Sequence, residues 1–348
     1  YDSHWGKHAV TAIAGGEIRQ IANKSDGNTI YGYNDDILTY TPVDYTNVKP
    51  IFITGGNSFI PDGVSINETM NRFVSFYGNA AYVYNERYSL SASARRDASN
   101  LFGVSTNNKW RPLWSAGAGW EISKEKFYKS SFLSYLKLRT TYGYSGNVST
   151  SLSAITTIQY DVINPYTNGP ISKIVNYYNP DLRWEKVGMF NIGIDFGISN
   201  NRISGSIEYY RKKGIDLYGL IPIDYSAGLG TETITKNVAS MKANGLDIEL
   251  KSINTTGQVL WTTALITNFY KDRVISDYLK DLQGRNFITG SGLVSLTGLE
   301  GKPVYSMLSY QWAGLEAETG NPQGYYNKEI STSFNNLTGR NTKADDLY

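Results

Sequence analysis

The fold of this chain is decided by the stretch Asn191-Ile-Gly-Ile-Asp-Phe-Gly-Ile198, followed by Ser199-Asn-Asn201 and Arg202-Ile-Ser-Gly-Ser-Ile-Glu-Tyr-Tyr210. In both arms apolar residues alternate with small polar or acidic ones. Side chains point to opposite faces of a strand with a period of two, so each arm is predicted to be a β-strand with one apolar and one polar face. The turn contains two asparagines, which tolerate positive φ. The stretch therefore predicts a β-hairpin.

The polar face of this hairpin separates two interpretations. It carries small, uncharged or acidic residues rather than the Lys, Glu and Arg mixture of a solvated sheet. Such a face fits a wall that lines a water-filled or plugged lumen, with the Ile and Phe face against lipid. The same alternation fits one hairpin of a soluble β-sandwich. This segment by itself does not decide between the barrel wall and the soluble sandwich.

Composition narrows the choice. The 348 residues include 33 Lys and Arg against 31 Asp and Glu, a balance that argues against a nucleic-acid partner. The chain has no cysteine, which excludes a disulfide scaffold, thiolate metal sites and a cysteine nucleophile. With 28 Tyr and 34 Gly the composition favours β-structure. No apolar run is long enough for a transmembrane helix, but a spanning strand needs only about 9–11 alternating residues.

Alternation and turn-forming residues predict an ordered series of strands. The predicted strands are residues 7–19, 72–84, 88–96, 112–120, 136–145, 191–198, 202–217, 237–252 and 259–270, with weaker signals at 304–315. One helical turn is predicted at 123–127. Neither end of the sequence has a leader peptide or a closing strand pattern, so we expect a fragment of a longer chain.

The connections between these strands carry the strongest argument. Short turns at 85–87, 199–201 and 253–257 separate long excursions at 20–70, 146–182, 218–236 and beyond 271, with 97–111 and 121–134 the least clear pair. Antiparallel neighbours place alternate connections at opposite ends of a sheet. Short turns at one end and long loops at the other are typical of an outer-membrane barrel. The sequence therefore predicts an all-β, antiparallel transmembrane β-barrel of outer-membrane type, with about nine or more strands of a larger plugged barrel in this partial chain.

No catalytic, metal or cofactor site is predicted. His4 and His8 are spaced as a helical metal pair, but their segment is predicted to be loop and strand, with no third ligand. The sequence has no phosphate-binding loop and no nucleophile elbow. We therefore expect no enzymatic activity and no cofactor.

Aromatic residues near the long connections are the candidate substrate-binding set. They are Trp110, Tyr160, Tyr166, Tyr177 and Tyr178. Aromatic faces stack on sugar rings or contact peptide side chains. The alternative is that these residues belong to an interfacial aromatic girdle or pack the loops together.

An ordered series of motifs runs along the chain. The first is Tyr88-Ser-Leu-Ser-Ala-Ser-Ala-Arg-Arg-Asp-Ala-Ser-Asn-Leu-Phe-Gly103. The others are Trp114-Ser-Ala-Gly-Ala-Gly-Trp120, Leu136-Lys-Leu-Arg-Thr-Thr-Tyr-Gly-Tyr-Ser-Gly-Asn147, Asn179-Pro-Asp-Leu-Arg-Trp-Glu185, the hairpin 191–213, Asn244-Gly-Leu-Asp-Ile-Glu-Leu250, and Gly301-Lys-Pro-Val-Tyr305 with Ala313-Gly-Leu315. Together they cover roughly residues 7–320, and in this order they resemble SusC/RagA-type TonB-dependent outer-membrane transporters. That family usually has Asp-Gly-Ser where this chain has Asp97-Ala-Ser99.

The resemblance implies energised import of an oligosaccharide or peptide across the bacterial outer membrane, through a plugged barrel of about 22 strands. It implies a SusD-like surface lipoprotein that closes over the long extracellular loops, and TonB acting through the plug. Residues 1–348 are expected to be part of one barrel domain, with the plug and the TonB-contacting segment not present. A non-energised porin or an adhesin barrel is the alternative, and a soluble sheet protein is a third class.

The same alternation assigns side chains to the two sides of the wall. We expect Asp195, Ser204, Ser206, Glu208, Asp247 and Glu249 to face the lumen. We expect Ile192, Ile194, Ile207 and Ile248 to face outer-membrane lipid.

Overall fold

The structure is a computed structural model of the chain. It describes residues 1–102, 111–163, 169–224, 226, 233–277, 299–306, 309 and 311–333. By contact density these residues fall into two compact units, one comprising Tyr1–Glu17 with Ser75–Tyr348 and the other comprising Ile18–Val74.

Nearly all regular structure in the described residues is β-strand. The strands, in chain order, are β1 (Asp2–Trp5), β2 (His8–Gly27), β3 (Tyr31–Asn34), β4 (Thr39–Thr41), β5 (Lys49–Pro50), β6 (Asn57–Ser58), β7 (Ser65–Tyr84), β8 (Tyr88–Ser99), β9 (Arg111–Glu121), β10 (Leu133–Asn147), β11 (Thr157–Ile163), β12 (Pro170–Asn176), β13 (Glu185–Ile198), β14 (Ile203–Pro222), β15 (Thr233–Thr256), β16 (Leu260–Ser276), β17 (Trp312–Leu315), β18 (Pro322–Tyr326) and β19 (Glu329–Ser331). The 3-10 turn Ile122–Lys124 follows β9.

One ten-stranded sheet dominates, with the order β1-β2-β7-β8-β9-β10-β13-β14-β15-β16. The predicted hairpin is confirmed as β13 and β14, which pair antiparallel from Ile198↔Ile203 to Lys186↔Ile215. Its turn residues Ser199, Asn200 and Asn201 have φ of 50°, 56° and 66°. Asparagine accepts this left-handed conformation more readily than most residues, which explains the turn sequence.

The sheet has two distinct faces because side chains alternate along each strand. We call the side that bears Asp195 and Glu208 the polar face, and the side that bears Ile194 and Ile207 the apolar face. Directly paired residues share a face, so the register continues both faces from β8 through β16. Ile194 and Ile207 are 44% and 41% exposed, so the described residues do not cover the apolar face as a sandwich would.

Several strands are longer than predicted, and the corresponding loop predictions are wrong. β2 and β7 reach into the predicted excursion 20–70, and β14, β15 and β16 extend into residues 218–222, 233–236 and 271–276. Residues 253–256 belong to β15, so that short turn is 257–259. The extensions of β2, β15 and β16 are mostly polar, whereas that of β14 is Tyr218-Gly-Leu-Ile-Pro222. Pairing between neighbouring strands satisfies the backbone groups of the β14, β15 and β16 extensions.

Four further predictions are corrected. The β1–β2 hairpin begins before the predicted first strand. The excursion 146–182 contains its own hairpin, β11–β12. Among the described residues of 304–315, the strand is limited to Trp312–Leu315, in a separate sheet of β17–β19. The predicted helical turn at 123–127 is the shorter 3-10 turn at Ile122–Lys124.

The unit Ile18–Val74 consists of the adjoining parts of β2 and β7 and two small hairpins, β3–β4 and β5–β6. Arg72 Nε donates to Gln20 Oε1 at 2.8 Å, and the Arg19 guanidinium lies 5.0 Å from the Phe73 ring centroid. A hydrogen bond from Lys49, helped by others from Asn47 and Thr46, holds the pKa of Asp44 well below its usual range.

A small apolar core lies at the end of the sheet that carries the long connections. Phe102, Ala154 and Leu182 are 3%, 0% and 2% exposed. Trp184 packs against them, with its ring centroid 5.7 Å from that of Phe102. No helix in the described parts of the chain is long and apolar enough to cross a membrane.

Candidate functional site on the polar face

Sheet register brings the predicted polar-face residues together from three strands. Asp195 pairs with Ser206, and Ser206 pairs with Glu249, so these three form one row across β13, β14 and β15. Glu208 pairs with Asp247 in the next row. The prediction that these side chains share one face therefore agrees with the register, and Ser204 lies on the same face beside Lys251.

Arg139 of β10 is the centre of this face. Its Nε lies 3.1 Å from both carboxylate oxygens of Asp195, and its Nη2 forms an ion pair with Glu208. The second oxygen of Glu208 accepts a hydrogen bond of 2.9 Å from Asn191 Nδ2. The guanidinium fork suits this arrangement because it donates to two carboxylates at once.

Sequence reasoning did not single out Arg139 or Asn191 as site residues. Both lie at polar-face positions of their strands, so the alternation of side chains predicts their face but not their partners. Their partners are set by the β10–β13 register, which places Arg139 opposite Gly193. That register joins residues 56 positions apart in the chain.

The remaining predicted polar-face residues differ in their contacts. Asp247 accepts a hydrogen bond from Asn268 Nδ2. Ser204, Ser206 and Glu249 form no side-chain hydrogen bond with any other described residue, which leaves their hydroxyl and carboxylate groups available to water or a solute.

A second polar-face cluster surrounds Arg95 of β8. Arg95 Nε donates to Asp97 at 2.7 Å, and its Nη2 reaches Ser75 Oγ at 2.9 Å and Glu17 at 3.3 Å. A cavity of about 590 Å³ next to it is lined by Arg95, Tyr77 and Ser115, among others. The face therefore offers charged, hydroxyl and aromatic groups to one open volume.

The predicted loop aromatics are only partly described. Trp110 and Tyr166 lie outside the described residues. Tyr160 stands on β11 and is 76% exposed, and Tyr178 is 57% exposed. Tyr177 is half-buried. In the described part of the chain no ring contact joins Tyr160, Tyr177 and Tyr178, so their role in substrate binding remains a prediction.

The motif 179–185 anchors the long connections to the sheet. Asn237 of β15 donates to the carbonyl oxygens of Arg183 and Asp216 at 2.8 and 2.6 Å, and accepts the Arg183 backbone N–H at 3.0 Å. The Arg183 guanidinium in turn pairs with the Asp216 carboxylate at 2.5 Å. Asp216 has a φ of +58° at a break in the β14–β15 register.

The short-turn end carries a different anchor. Glu125 accepts hydrogen bonds from Tyr88 Oη at 2.5 Å and Trp120 Nε1 at 3.1 Å, and pairs with Arg87 at 3.2 Å. The hydrogen bond from Tyr88, with further help from Trp120, lowers the pKa of Glu125 below its ordinary value of 4.5.

The histidines have structural contacts. His8 Nδ1 lies 2.7 Å from Tyr82 Oη, and its ring stacks on Trp5 with centroids 5.5 Å apart. In the portion of the chain that the structure describes, no group of three His, Cys, Asp or Glu side chains could hold a metal.

A long antiparallel sheet with an ion-paired polar face and an uncovered apolar face is the wall of an outer-membrane β-barrel. The chain belongs to the TonB dependent receptor-like, beta-barrel family, which matches residues 6–346. This confirms the all-β barrel fold and the predicted resemblance, and it places the chain in the outer membrane, in a family of receptors rather than enzymes.

Two curated relatives show the extent of the similarity. A TonB-dependent receptor of Formosa agariphila is 29% identical over 95% of this chain and 30% of its own length. The TonB-dependent receptor SusC of Bacteroides thetaiotaomicron is 32% identical over 69% of this chain and 28% of its own length. The chain thus spans less than a third of the length of these two relatives.

Solved structures agree on the fold. The structure of the RagAB peptide transporter matches with a TM-score of 0.75 and 22% identity, over 100% of this chain and 36% of that one. The closed-closed state of the RagAB peptide importer matches with a TM-score of 0.73.

Proposed function

We propose that residues 1–348 form part of the barrel of a transporter that imports an oligosaccharide or peptide across the outer membrane, with energy supplied by TonB through a plug region. The single observation that carries the proposal is family membership along almost the whole chain. The peptide class is supported by the similarity to the RagAB peptide transporter, and the oligosaccharide class rests on the resemblance to SusC/RagA-type transporters described above.

In this proposal the polar face lines the lumen, with Asp195, Ser204, Ser206, Glu208, Asp247 and Glu249 as wall residues. Arg139 fixes Asp195 and Glu208 by charge-assisted hydrogen bonds. Such a wall is hydrophilic, which suits the passage of a polar solute. Residues Ser206 and Glu249, whose groups have no described partner, supply hydrogen bonds to water or substrate.

In the same proposal the long connections are extracellular and a SusD-like lipoprotein closes over them. Antiparallel pairing of β8 through β16 supports this arrangement. It places the strand ends Ser99, Arg111, Asn147, Glu185, Pro222 and Thr233 at one end of the sheet and the turns 85–87, 199–202 and 257–259 at the other. The loop aromatics Trp110, Tyr160, Tyr166, Tyr177 and Tyr178 would then lie on the substrate side.

Uptake in cells tests the function. Bacteria expressing the full-length transporter receive labelled oligosaccharide and peptide mixtures, with and without functional TonB. We expect uptake of one class that stops without TonB. Uptake that continues at the same rate without TonB would favour the non-energised porin, and surface adhesion without uptake would favour the adhesin barrel.

A further inference from the structure

A group of basic residues lies on the apolar face, at the end of the sheet that carries the long connections. We call it the basic patch, and it consists of Lys186, Arg211, Lys213, Lys242, Lys271 and Arg273. Register places them in adjacent rows: Lys213 pairs with Lys242, and Lys242 pairs with Arg273. In the row two residues nearer the short turns, Arg211 and Lys271 pair with Asn244 from either side.

The arrangement places like charges directly opposite one another. Neighbouring strands are about 4.8 Å apart, so the cations of Lys213, Lys242 and Arg273 can occupy a strip about 10 Å wide. Like charges at directly paired positions destabilise a sheet. A row of three cations therefore needs an anion near it, or solvent, to offset the repulsion.

The chain itself does not supply that anion in the described residues. Arg211, Lys213, Lys242, Lys271 and Arg273 are exposed, and none of them pairs with a described carboxylate. Lys186 is half-buried, with Nζ 3.9 Å from the Tyr144 ring centroid. Arg139 on the polar face is different, because two carboxylates neutralise it.

Aromatic and apolar rows place the patch at a membrane–water boundary. The row of Lys213 continues through Gly188 to Tyr144 and Trp114, and the row of Arg211 continues through Phe190 to Tyr142. Trp114, Tyr142 and Tyr144 form one cluster with centroids 5.6–5.8 Å apart. Tyrosine and tryptophan concentrate at the headgroup level of bilayers. The next row toward the short turns is apolar, with Ile192, Tyr209, Leu246 and Phe269.

A groove of about 690 Å³ separates the aromatic cluster from the cations. It is lined by Tyr142, Tyr144, Arg211, Lys213 and Lys242, among others. Its floor includes Gly188, and the Tyr144 ring packs over this glycine in the space that a side chain would fill. The groove is large enough for a headgroup and lies directly above an apolar surface.

We propose that the basic patch binds the phosphates of a phosphorylated lipid headgroup in the outer leaflet, with the acyl chains against the apolar rows below. Guanidinium and ammonium groups are the usual protein ligands of phosphate. The inference rests on the proposed orientation, in which the long connections are extracellular and the apolar face meets lipid. It adds a lipid site on the outside of the wall to the proposed import through the inside.

Native mass spectrometry of the full-length transporter in neutral detergent tests the proposal, with bisphosphorylated lipid A as the probe. The test variant is Lys213→Gln/Lys242→Gln/Arg273→Gln. The control, Lys126→Gln/Lys129→Gln/Lys251→Gln, removes the same charge near the short turns. Each basic residue near an anionic lipid surface contributes roughly a factor of five, so the test variant should bind about a hundredfold more weakly. The control should bind like the wild type.

Three further measurements, two of binding and one of unfolding, complete the test. Lipid A stripped of its phosphates should bind no more tightly to the wild type than to the test variant. Inorganic phosphate at the same concentration should not displace the bound lipid. Without lipid, the test variant should unfold at the same temperature as the wild type or higher, because the repulsive row is gone.

Equal binding of lipid A by the test variant and the wild type would overturn the site. So would equal loss in the control, tight binding of the stripped lipid, or displacement by inorganic phosphate. TonB-dependent uptake is measured separately, so intact uptake without lipid binding would reject this inference alone. Lipid binding without uptake would reject only the proposed function.

Discussion

At the scale of single residues, adjacent positions along one strand lie on opposite faces of the sheet and have opposite surroundings. Ser206 and Ile207 are neighbours on β14 at the same depth in the sheet. Ser206 stands between Asp195 and Glu249 in its row, whereas Ile207 pairs with Ile194 and Ile248. A charge placed at the two positions therefore meets carboxylates in one case and an apolar surface in the other.

Ile207→Arg and Ser206→Arg form a matched pair. In phospholipid vesicles we expect Ile207→Arg to lower the free energy of unfolding by about 2–4 kcal/mol, the range for arginine near the bilayer midplane. Ser206→Arg should cost much less because Asp195 and Glu249 flank it. Denaturant titration of the full-length barrel measures both. Equal losses would contradict the assignment of the two faces.

Arg139→Gln should lower stability by about 1–2 kcal/mol, since it removes charge-assisted hydrogen bonds to two carboxylates that are only partly exposed. The side chains of Asp195 and Glu208 are 26% and 22% exposed. Arg139→Lys keeps the charge but loses the fork, and it should lie between the wild type and Arg139→Gln. Identical unfolding of all three proteins would show that the pairing is not stabilising.

At the scale of elements, the two ends of the strands are fixed by different polar anchors. Glu125 connects the turn at 85–87 to the segment after β9, through Arg87 and Tyr88. Asn237 connects β15 to the motif 179–185 with three hydrogen bonds. Each anchor joins segments that the hairpin turns alone do not hold together.

The Glu125 anchor should depend on pH. Because the folded protein lowers the pKa of Glu125 below 4.5, its contribution is present above that pH and is lost as the pH falls through the lowered value. Glu125→Gln should therefore unfold more readily than the wild type at neutral pH, and the difference should vanish in acid. Glu86→Gln is the control, since that side chain is 85% exposed. A difference that persists in acid would exclude this linkage.

Asn237→Ala should loosen the long connection 148–184. The variant removes one donor each from the carbonyl groups of Arg183 and Asp216 and the acceptor of the Arg183 backbone N–H, at a cost of about 2 kcal/mol. The Arg183 carbonyl still accepts a hydrogen bond from the Tyr218 hydroxyl. Limited proteolysis should then cut 148–184 faster, while cleavage near the turn 257–259 stays unchanged. Thr235→Ala is the control, because its side chain forms no described hydrogen bond and its backbone oxygen still accepts the one from Asn179. Equal cleavage of the two variants would argue against the anchor.

At the scale of the whole molecule, the two ends of the sheet differ in how much surface they offer. The long-connection end presents loops with exposed aromatic residues such as Tyr178, and the short-turn end presents tight turns. Protein interfaces are enriched in tyrosine and tryptophan. In the proposed orientation, a lid that closes the pore contacts the long-connection end.

Single cysteines can map that lid in a cysteine-free background of the full-length transporter. Tyr178→Cys, on the long-connection end, should crosslink to a SusD-like lipoprotein that copurifies from native membranes. Gln258→Cys, in the turn 257–259, should not. A transporter that purifies alone, or a partner captured only at Gln258→Cys, would contradict the lid and favour a simple porin.

The sequence by itself determined the strand type, the two faces and the hairpin turn. These are local properties: side chains alternate with a period of two, and Asn200 and Asn201 accept positive φ. The faces of Asp195, Glu208 and Asp247 could therefore be predicted without partners. The substrate role of the loop aromatics could not, because no local pattern fixes what an exposed ring contacts.

Tertiary structure decided the strand lengths and the side-chain pairs. β14, β15 and β16 extend beyond their predicted ends because neighbouring strands satisfy their backbone groups, a condition that no single segment reveals. Register likewise joined Arg139 to Asp195 and aligned Lys213 with Lys242 and Arg273. Register is a relation between distant strands, so a slip of one residue would keep every local pattern and change every pair.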